Sequence, residues 1–91
     1  MVNTWEVQFK ELCPSIQQAV DELNQSSSVR AKYLTDKWLL INLDDERDIL
    51  NLYQDRTHTI VLTKEIAVSN LLPAILSVLT KMGGICTGPN Q

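Results

Sequence analysis

Apolar residues in the first quarter of the chain recur at steps of three and four, the spacing of one face of a helix. Pro14 interrupts this stripe, because proline lacks an amide donor and clashes with the preceding turn. Two structures satisfy both observations: a helix over about residues 4–23 that is kinked at Pro14, or a helix that begins near Pro14 after an extended segment. The stripe stays in phase across the proline and favours the kinked helix. Its members are Trp5, Phe9, Leu12, Ile16, Ala19, Val20 and Leu23.

Two apolar runs in the middle of the chain predict strands. Residues 38–43 (WLLINL) are nearly all apolar, which is typical of a strand buried on both faces, and residues 58–63 (HTIVLT) form the second run. Residues 29–34 alternate in side-chain type. A short polar stretch at Asp36 and Lys37 separates them from the first run. This arrangement predicts a hairpin between residues 29–34 and residues 38–43.

An acidic cluster separates the two apolar runs. The stretch from Asp44 to Asp48 is followed by Ile49, Leu52 and Tyr53, which have the spacing of a helix face. We therefore predict a helix that is capped by Asp44 or Asp45, since carboxylates stabilise helix N-termini. The link over residues 44–57 is long enough for a right-handed crossover between parallel strands.

The last apolar segment predicts a helix that begins between residues 64 and 69 and ends at Met82, before Gly83 and Gly84. Its apolar residues cover most of the circumference, so the helix requires burial on more than one side. Either the first helix or another molecule provides the second covering surface, and the sequence leaves both open. These apolar residues are Leu71, Leu72, Ala74, Ile75, Leu76, Val78, Leu79 and Met82.

These elements predict an α/β fold, with an α+β arrangement as the alternative. We expect a small two-layer domain over residues 1–87, in the order α-β-β-α-β-α. Its mixed sheet has three or four strands, with the helices mainly on one face. Residues 85–87 are a candidate edge strand, and residues 88–91 are predicted to be a flexible tail.

Composition restricts the classes of partner. The 91 residues include eleven acidic and eight basic side chains, for a net charge of −3, and Lys and Arg do not cluster. A basic footprint for phosphate backbones is missing, so we expect no nucleic-acid partner. No apolar run is long enough to span a bilayer, and we expect no membrane association. Cys13 and Cys86 occur without a secretory segment, which predicts reduced thiols and a cytoplasmic location.

The acidic cluster is the main candidate for chemistry. Asp44 and Asp45 follow a strand, and Lys64 would emerge at the same edge of a parallel sheet. Such carboxylates can hold Mg²⁺, with the lysine on a phosphoryl group. The simpler interpretation is that they cap a helix. His58, the single histidine, has no local nucleophile to activate. We therefore expect no cofactor, no metal and no catalytic residue.

The leading functional hypothesis is a small acidic intracellular interaction or regulatory module of the inhibitor, immunity or adaptor type. It acts by protein–protein contact and self-associates, as a homodimer, through the last helix. The alternatives are a small metal- or phosphate-binding enzyme that uses Asp44, Asp45 and Lys64, and an acidic nucleic-acid mimic, which would need a longer face of carboxylates. The expected contact residues are Leu71, Leu72, Ile75, Leu76, Leu79 and Met82 on the helix, with Asp44, Asp45, Glu46 and Asp48.

Overall fold

A computed structural model describes residues 2–65 and 69–90 of the chain. Six strands and two helices follow one another in the order β-α-β-β-β-β-α-β. Their bounds are β1 Val2–Phe9, α1 Ile16–Ser26, β2 Ala31–Leu34, β3 Leu39–Asn42, β4 Asp45–Arg56, β5 Thr59–Glu65, α2 Leu71–Lys81 and β6 Gly84–Asn90.

The strands form one antiparallel sheet in the order β2-β3-β4-β5-β1-β6. Strands β2 to β5 pair in succession, and β1 then lies between β5 and β6. Both helices pack on the same face of this sheet. The predicted mixed sheet of three or four strands in the order α-β-β-α-β-α is therefore wrong.

The first error in that prediction is the kinked helix over residues 4–23. Residues up to Phe9 form β1, and the helix begins only after Pro14, as in the alternative structure. The reason is the cap: Ser15 Oγ accepts a hydrogen bond from the Gln18 amide at 3.1 Å, and Gln18 Oε1 accepts one from the Ser15 amide at 3.1 Å. This capping box satisfies two amides that have no partner within the helix.

The second error is the helix over residues 44–57, which is the long strand β4. Its side chains alternate between the two faces of the sheet, with Leu50 and Leu52 buried under the helices and Ile49 and Tyr53 on the other side. Successive antiparallel hairpins replace the predicted parallel crossover. Strands β3 and β5 nevertheless run in the same direction, because β4 lies antiparallel between them.

Other predicted elements are confirmed. The β2–β3 hairpin is present, with Ala31 opposite Asn42 in its register. Strand β5 contains most of the second apolar run. Helix α2 ends before Gly83, whose φ of 103° is readily available to glycine. The candidate edge strand at residues 85–87 is part of β6, which continues through residues 88–90 beside β1.

The core lies between the helices and the covered face of the sheet. Each α-helix has 11 residues, and neither is long and apolar enough to cross a membrane in the described part of the chain. The buried apolar residues of this core are Val7, Phe9, Ala19, Val20, Leu23, Ala31, Leu40, Leu50, Leu52, Ile60, Leu62, Leu71, Ile75, Val78 and Leu79.

Candidate interaction surface

One carboxylate of the predicted acidic cluster is buried inside the domain. Asp48 lies under the N-terminus of α2, where it accepts hydrogen bonds from the Asn70 amide at 3.0 Å and the Leu71 amide at 2.9 Å. Lys64 Nζ lies 3.1 Å from Asp48 Oδ1 and donates to the Ile49 carbonyl at 2.8 Å. Both side chains are at least 95% buried. Asp48 therefore caps a helix that begins 23 residues later in the chain.

The surroundings of Asp48 stabilise its charged form. Burial alone raises the pKa of this carboxyl, but the hydrogen bonds from Ser69, Leu71, Asn42 and Lys64 together lower it to about 2. Asn42 Nδ2 donates at 3.3 Å, and the Ser69 hydroxyl donates to the other carboxylate oxygen. Asp48 and Lys64 therefore form a structural ion pair with every buried polar atom of the described side chains satisfied.

This ion pair also occupies the positive end of α2. The amides of Asn70 and Leu71 bind Asp48, and the Leu72 amide donates to Ser69 Oγ at 3.0 Å. Pro73 follows and has no amide hydrogen. The first turn of α2 therefore has no free donor for a phosphate group.

Asp44, Asp45 and Glu46, the other acidic residues of the cluster, are exposed around the β3–β4 turn. Asp45 Oδ1 accepts a hydrogen bond from the Arg47 amide at 3.1 Å, so it caps a turn instead of a helix. Lys64 is on the covered face and contacts Asp48, while Asp44 and Asp45 stay in solvent. Within residues 2–65 and 69–90, no cluster of three or more potential ligands can hold a metal ion.

A cleft of about 630 Å³ lies beside this turn, between the end of α1 and the start of α2. Asp44 supplies the charge in its described lining, next to the hydroxyls of Ser27 and Ser28 and the amide group of Asn70. The Asp44 amide donates to Asn42 Oδ1 at 2.9 Å. This lining has the character of a solvated surface, and it brings no nucleophile and base together.

The predicted contact residues of α2 are divided between the core and the surface. Leu71, Ile75 and Leu79 are buried in the core. Leu72 and Leu76 are half-buried against it, and Met82 is exposed. Most of the apolar circumference of α2 is thus covered from within the chain. That Leu72, Leu76 and Met82 contact a partner remains a prediction.

A second group of apolar side chains lies on the other side of the sheet. We call this side the open face, because both helices pack on the opposite side. Eight of its positions carry valine, leucine, isoleucine or tyrosine, and charged side chains at Glu6, Lys32, Arg47 and Arg56 also belong to it. Alternation and pairing along the strands assign to it Val2, Thr4, Glu6, Gln8, Lys32, Leu34, Leu39, Ile41, Arg47, Ile49, Asn51, Tyr53, Arg56, Thr59, Val61, Thr63, Ile85 and Thr87.

The apolar residues of the open face form a group separate from the core. Leu39, Ile41, Ile49 and Tyr53 are half-buried, and none of them packs into the helix-covered cluster. Lys32 pairs with Ile41 and Ile41 with Ile49, so the two isoleucines form an apolar row across β3 and β4, with Lys32 beside it on β2. A solvated face of an antiparallel sheet is ordinarily polar, with the apolar side chains directed to the core. The open face departs from that pattern.

Trp38 extends this surface at one end. The residue precedes β3 with φ 54°, a left-handed conformation that is uncommon for a bulky side chain. The residue is 59% exposed, and its ring lies against Tyr53 of the open face, with 6.3 Å between ring centroids. Strained residues of this kind cluster at functional sites, and exposed aromatic side chains often anchor protein contacts.

The sequence contained a signal for the open face. The run over residues 38–43 has the pattern of a strand buried on both faces, and the domain covers β3 on one face only. Deducing the open face from this run required the knowledge that β4 is a strand. Without β4, Ile49 and Tyr53 could not be placed beside Ile41.

The chain matches no protein-family model, no curated protein and no solved structure.

Proposed function

We propose that this chain is a small non-enzymatic interaction module that binds a protein through the open face of its sheet. The observation that carries the proposal is the apolar row Ile41–Ile49 with the exposed Trp38 on a face that lacks a covering layer in the described part of the chain. Exposed apolar surface that is contiguous is characteristic of protein contacts.

The hydrophobic effect favours covering this surface. Transfer of apolar area out of water contributes about 25 cal/mol per Å², and the half-buried leucine and isoleucine side chains of the open face retain part of that area in the isolated chain. A flat, apolar protein surface would complete the second layer. The absence of a free anion-binding amide in the first turn of α2 supports a protein partner over a phosphorylated ligand.

The proposed setting is the cytoplasm. Cys13 and Cys86 are free thiols in the structure, and burial raises the pKa of each thiol. A raised pKa makes a thiol less reactive at neutral pH, and free cysteines are usual in a reducing compartment. This supports an intracellular interaction module.

Site-specific photo-crosslinking in cells that express the protein tests the proposal. Asn51 lies at the centre of the open face and is exposed, whereas Gln25 is exposed on the outer side of α1. A photoreactive side chain at position 51 should form a covalent adduct with a protein, and the same group at position 25 should not. If position 51 gives no protein adduct, or the same adducts as position 25, the proposal is wrong.

A further inference from the structure

The cleft between the end of α1 and the start of α2 combines a carboxylate, uncharged hydrogen-bond acceptors and apolar side chains. We propose that it binds an organic ammonium ion, with the Asp44 carboxylate as the counter-charge. The cleft lies on the helix-covered side of the sheet, so this site is separate from the open face and does not rest on the proposed function.

The Asp44 carboxylate selects a cation. Asp45, Asp48 and Asp55 each have a basic side-chain nitrogen at a distance of 3.1–3.9 Å. Asp44 forms no such ion pair with a described residue, and no lysine or arginine is in the described lining of the cleft. Charge complementarity therefore favours a cationic ligand at this position.

The other charges around the cleft are consistent with an organic cation. Asp45 and Glu46 are exposed on the same turn as Asp44, whereas Arg30, which follows the lining residue Val29, is exposed and outside the described lining. Mg²⁺ and Ca²⁺ require several oxygen ligands, and the described residues form no cluster of three or more potential metal ligands. A single carboxylate is better suited to one ammonium group.

The uncharged part of the lining suits a protonated amine on a short carbon chain. The Ser28 hydroxyl is exposed and the Asn70 carboxamide does not cap α2, so each offers an oxygen acceptor to an N–H group. Val29, Pro73 and Ala74 provide the apolar contact for the carbon chain. The volume of about 630 Å³ is in the range of small-molecule sites.

A series of hydrogen bonds holds the two sides of the cleft in place. The Asp44 amide donates to Asn42 Oδ1 at 2.9 Å, and Asn42 Nδ2 donates to Asp48 at 3.3 Å. Asp48 in turn accepts a hydrogen bond from the Asn70 amide at 3.0 Å. Asn42 and Asp48 are only 3% and 4% exposed, so the connection is buried. The backbone at Asp44 and Asn70 is thus fixed before a ligand binds, which reduces the entropic cost of binding.

Titration with butylammonium, followed by proton–nitrogen NMR spectra of the labelled protein at constant ionic strength, tests the proposal. The amide signals of Ser28, Val29, Asn70 and Ala74 should shift with a dissociation constant on the order of 1 mM. Tetramethylammonium has the same charge without an N–H donor, and butanol has a donor without a charge. Each should bind about fivefold more weakly or worse, because charge-assisted hydrogen bonds are the stronger ones.

Two neighbouring aspartates provide a matched pair of variants. Asp44→Asn removes the counter-charge and should raise the dissociation constant of butylammonium by about tenfold or more. Asp45→Asn makes the same change in net charge one residue away, outside the described lining, and should leave that constant within about twofold of the original. Both side chains are exposed, so both variants should give the NMR spectrum of a folded protein.

A second ligand identifies the source of the ammonium group. Lysine that is blocked at both ends by acetyl and methylamide groups carries an ammonium on the same length of carbon chain as butylammonium. Binding that is tighter than that of butylammonium by about threefold or more assigns the site to a lysine side chain of a protein. Equal or weaker binding assigns it to a free amine.

Three results would overturn the site. These are no saturable shift up to about 20 mM butylammonium, binding of tetramethylammonium as tight as that of butylammonium, or an equal weakening by Asp44→Asn and Asp45→Asn. The last result would show general attraction to an acidic protein. None of them affects the test of the open face, because Asn51 lies on the other side of the sheet.

Discussion

The two faces of the sheet carry similar apolar side chains from the same strands, but the helices cover only one of them. On β4, Leu50 and Leu52 are buried under the helices, whereas their chain neighbours Ile49 and Tyr53 lie on the open face. The covered face even contains an ion pair, and it is stable because every partner is supplied within the domain. Hydrophobicity alone therefore does not identify the folding core. The presence of a covering layer distinguishes the two faces.

The ion pair of the covered face should show the largest effect on stability. Asp48→Asn leaves the Lys64 ammonium buried without a counter-charge, and we expect a loss of about 3–5 kcal/mol in the free energy of unfolding, measured by urea titration. Asp48→Asn/Lys64→Met removes both charges and should recover part of that loss. If Asp48→Asn costs less than about 1 kcal/mol, Asp48 and Lys64 are not a coupled buried pair.

Neighbouring residues on β4 offer the most direct comparison of the two faces. Leu50→Ala creates a cavity in the covered core and should cost about 2–5 kcal/mol. Ile49→Ala should cost about 1 kcal/mol or less, because its side chain is only half-buried. Equal losses in thermal or urea unfolding would contradict the distinction between the faces.

Acid should weaken the covered face in a defined range of pH. Folding lowers the pKa of Asp48 from 3.8 to about 2, so the unfolded chain binds this proton first as the pH falls. The stabilisation is complete above about pH 4 and is lost as the pH falls through about 2. It amounts to about 2 kcal/mol. The difference in unfolding free energy between the original protein and Asp48→Asn should shrink over this range. A constant difference would show that folding does not lower the pKa of Asp48.

Trp38 should show the smallest effect on the stability of the monomer. Asparagine adopts the left-handed conformation more readily, so Trp38→Asn should leave the unfolding free energy within about 1 kcal/mol of the original value, or raise it. The same variant should weaken association through the open face, because it removes an exposed aromatic ring. A large loss of monomer stability would instead make Trp38 a part of the core.

The errors in the predicted fold have specific causes. The apolar residues from Trp5 to Leu23 have helical spacing throughout. The first of them belong to strand β1 and the later ones to helix α1, so the spacing continues across the two elements by chance. The capping box at Ser15 and Gln18 was the more reliable local signal. For β4, the order Ile49-Leu50-Asn51-Leu52-Tyr53 places apolar residues on both faces, so periodicity does not separate strand from helix.

The candidate site was only partly accessible from sequence. The acidic cluster was recognised, but the carboxylates predicted to meet Lys64 were Asp44 and Asp45, and the structure pairs Lys64 with Asp48. The sequence could not show which carboxylate is buried, because Asp48 contacts Asn70 and Leu71, which lie 22 and 23 residues further along the chain. The only sequence signal for the open face was the excess of apolar residues at positions 38–43.

The sequence by itself determined the elements whose signals are local. These are the β2–β3 hairpin, β5, and the helix α2 that ends before Gly83, because turn residues, glycine and continuous apolar runs act within a few residues. Tertiary structure decided that β4 is a strand, that Asp48 is the buried acid, and that the helices leave one face uncovered. The burial of Asp48 and the arrangement of the sheet involve contacts distant in the chain, such as Asp48 with Leu71 and β1 with β5 and β6, and such contacts leave no local pattern.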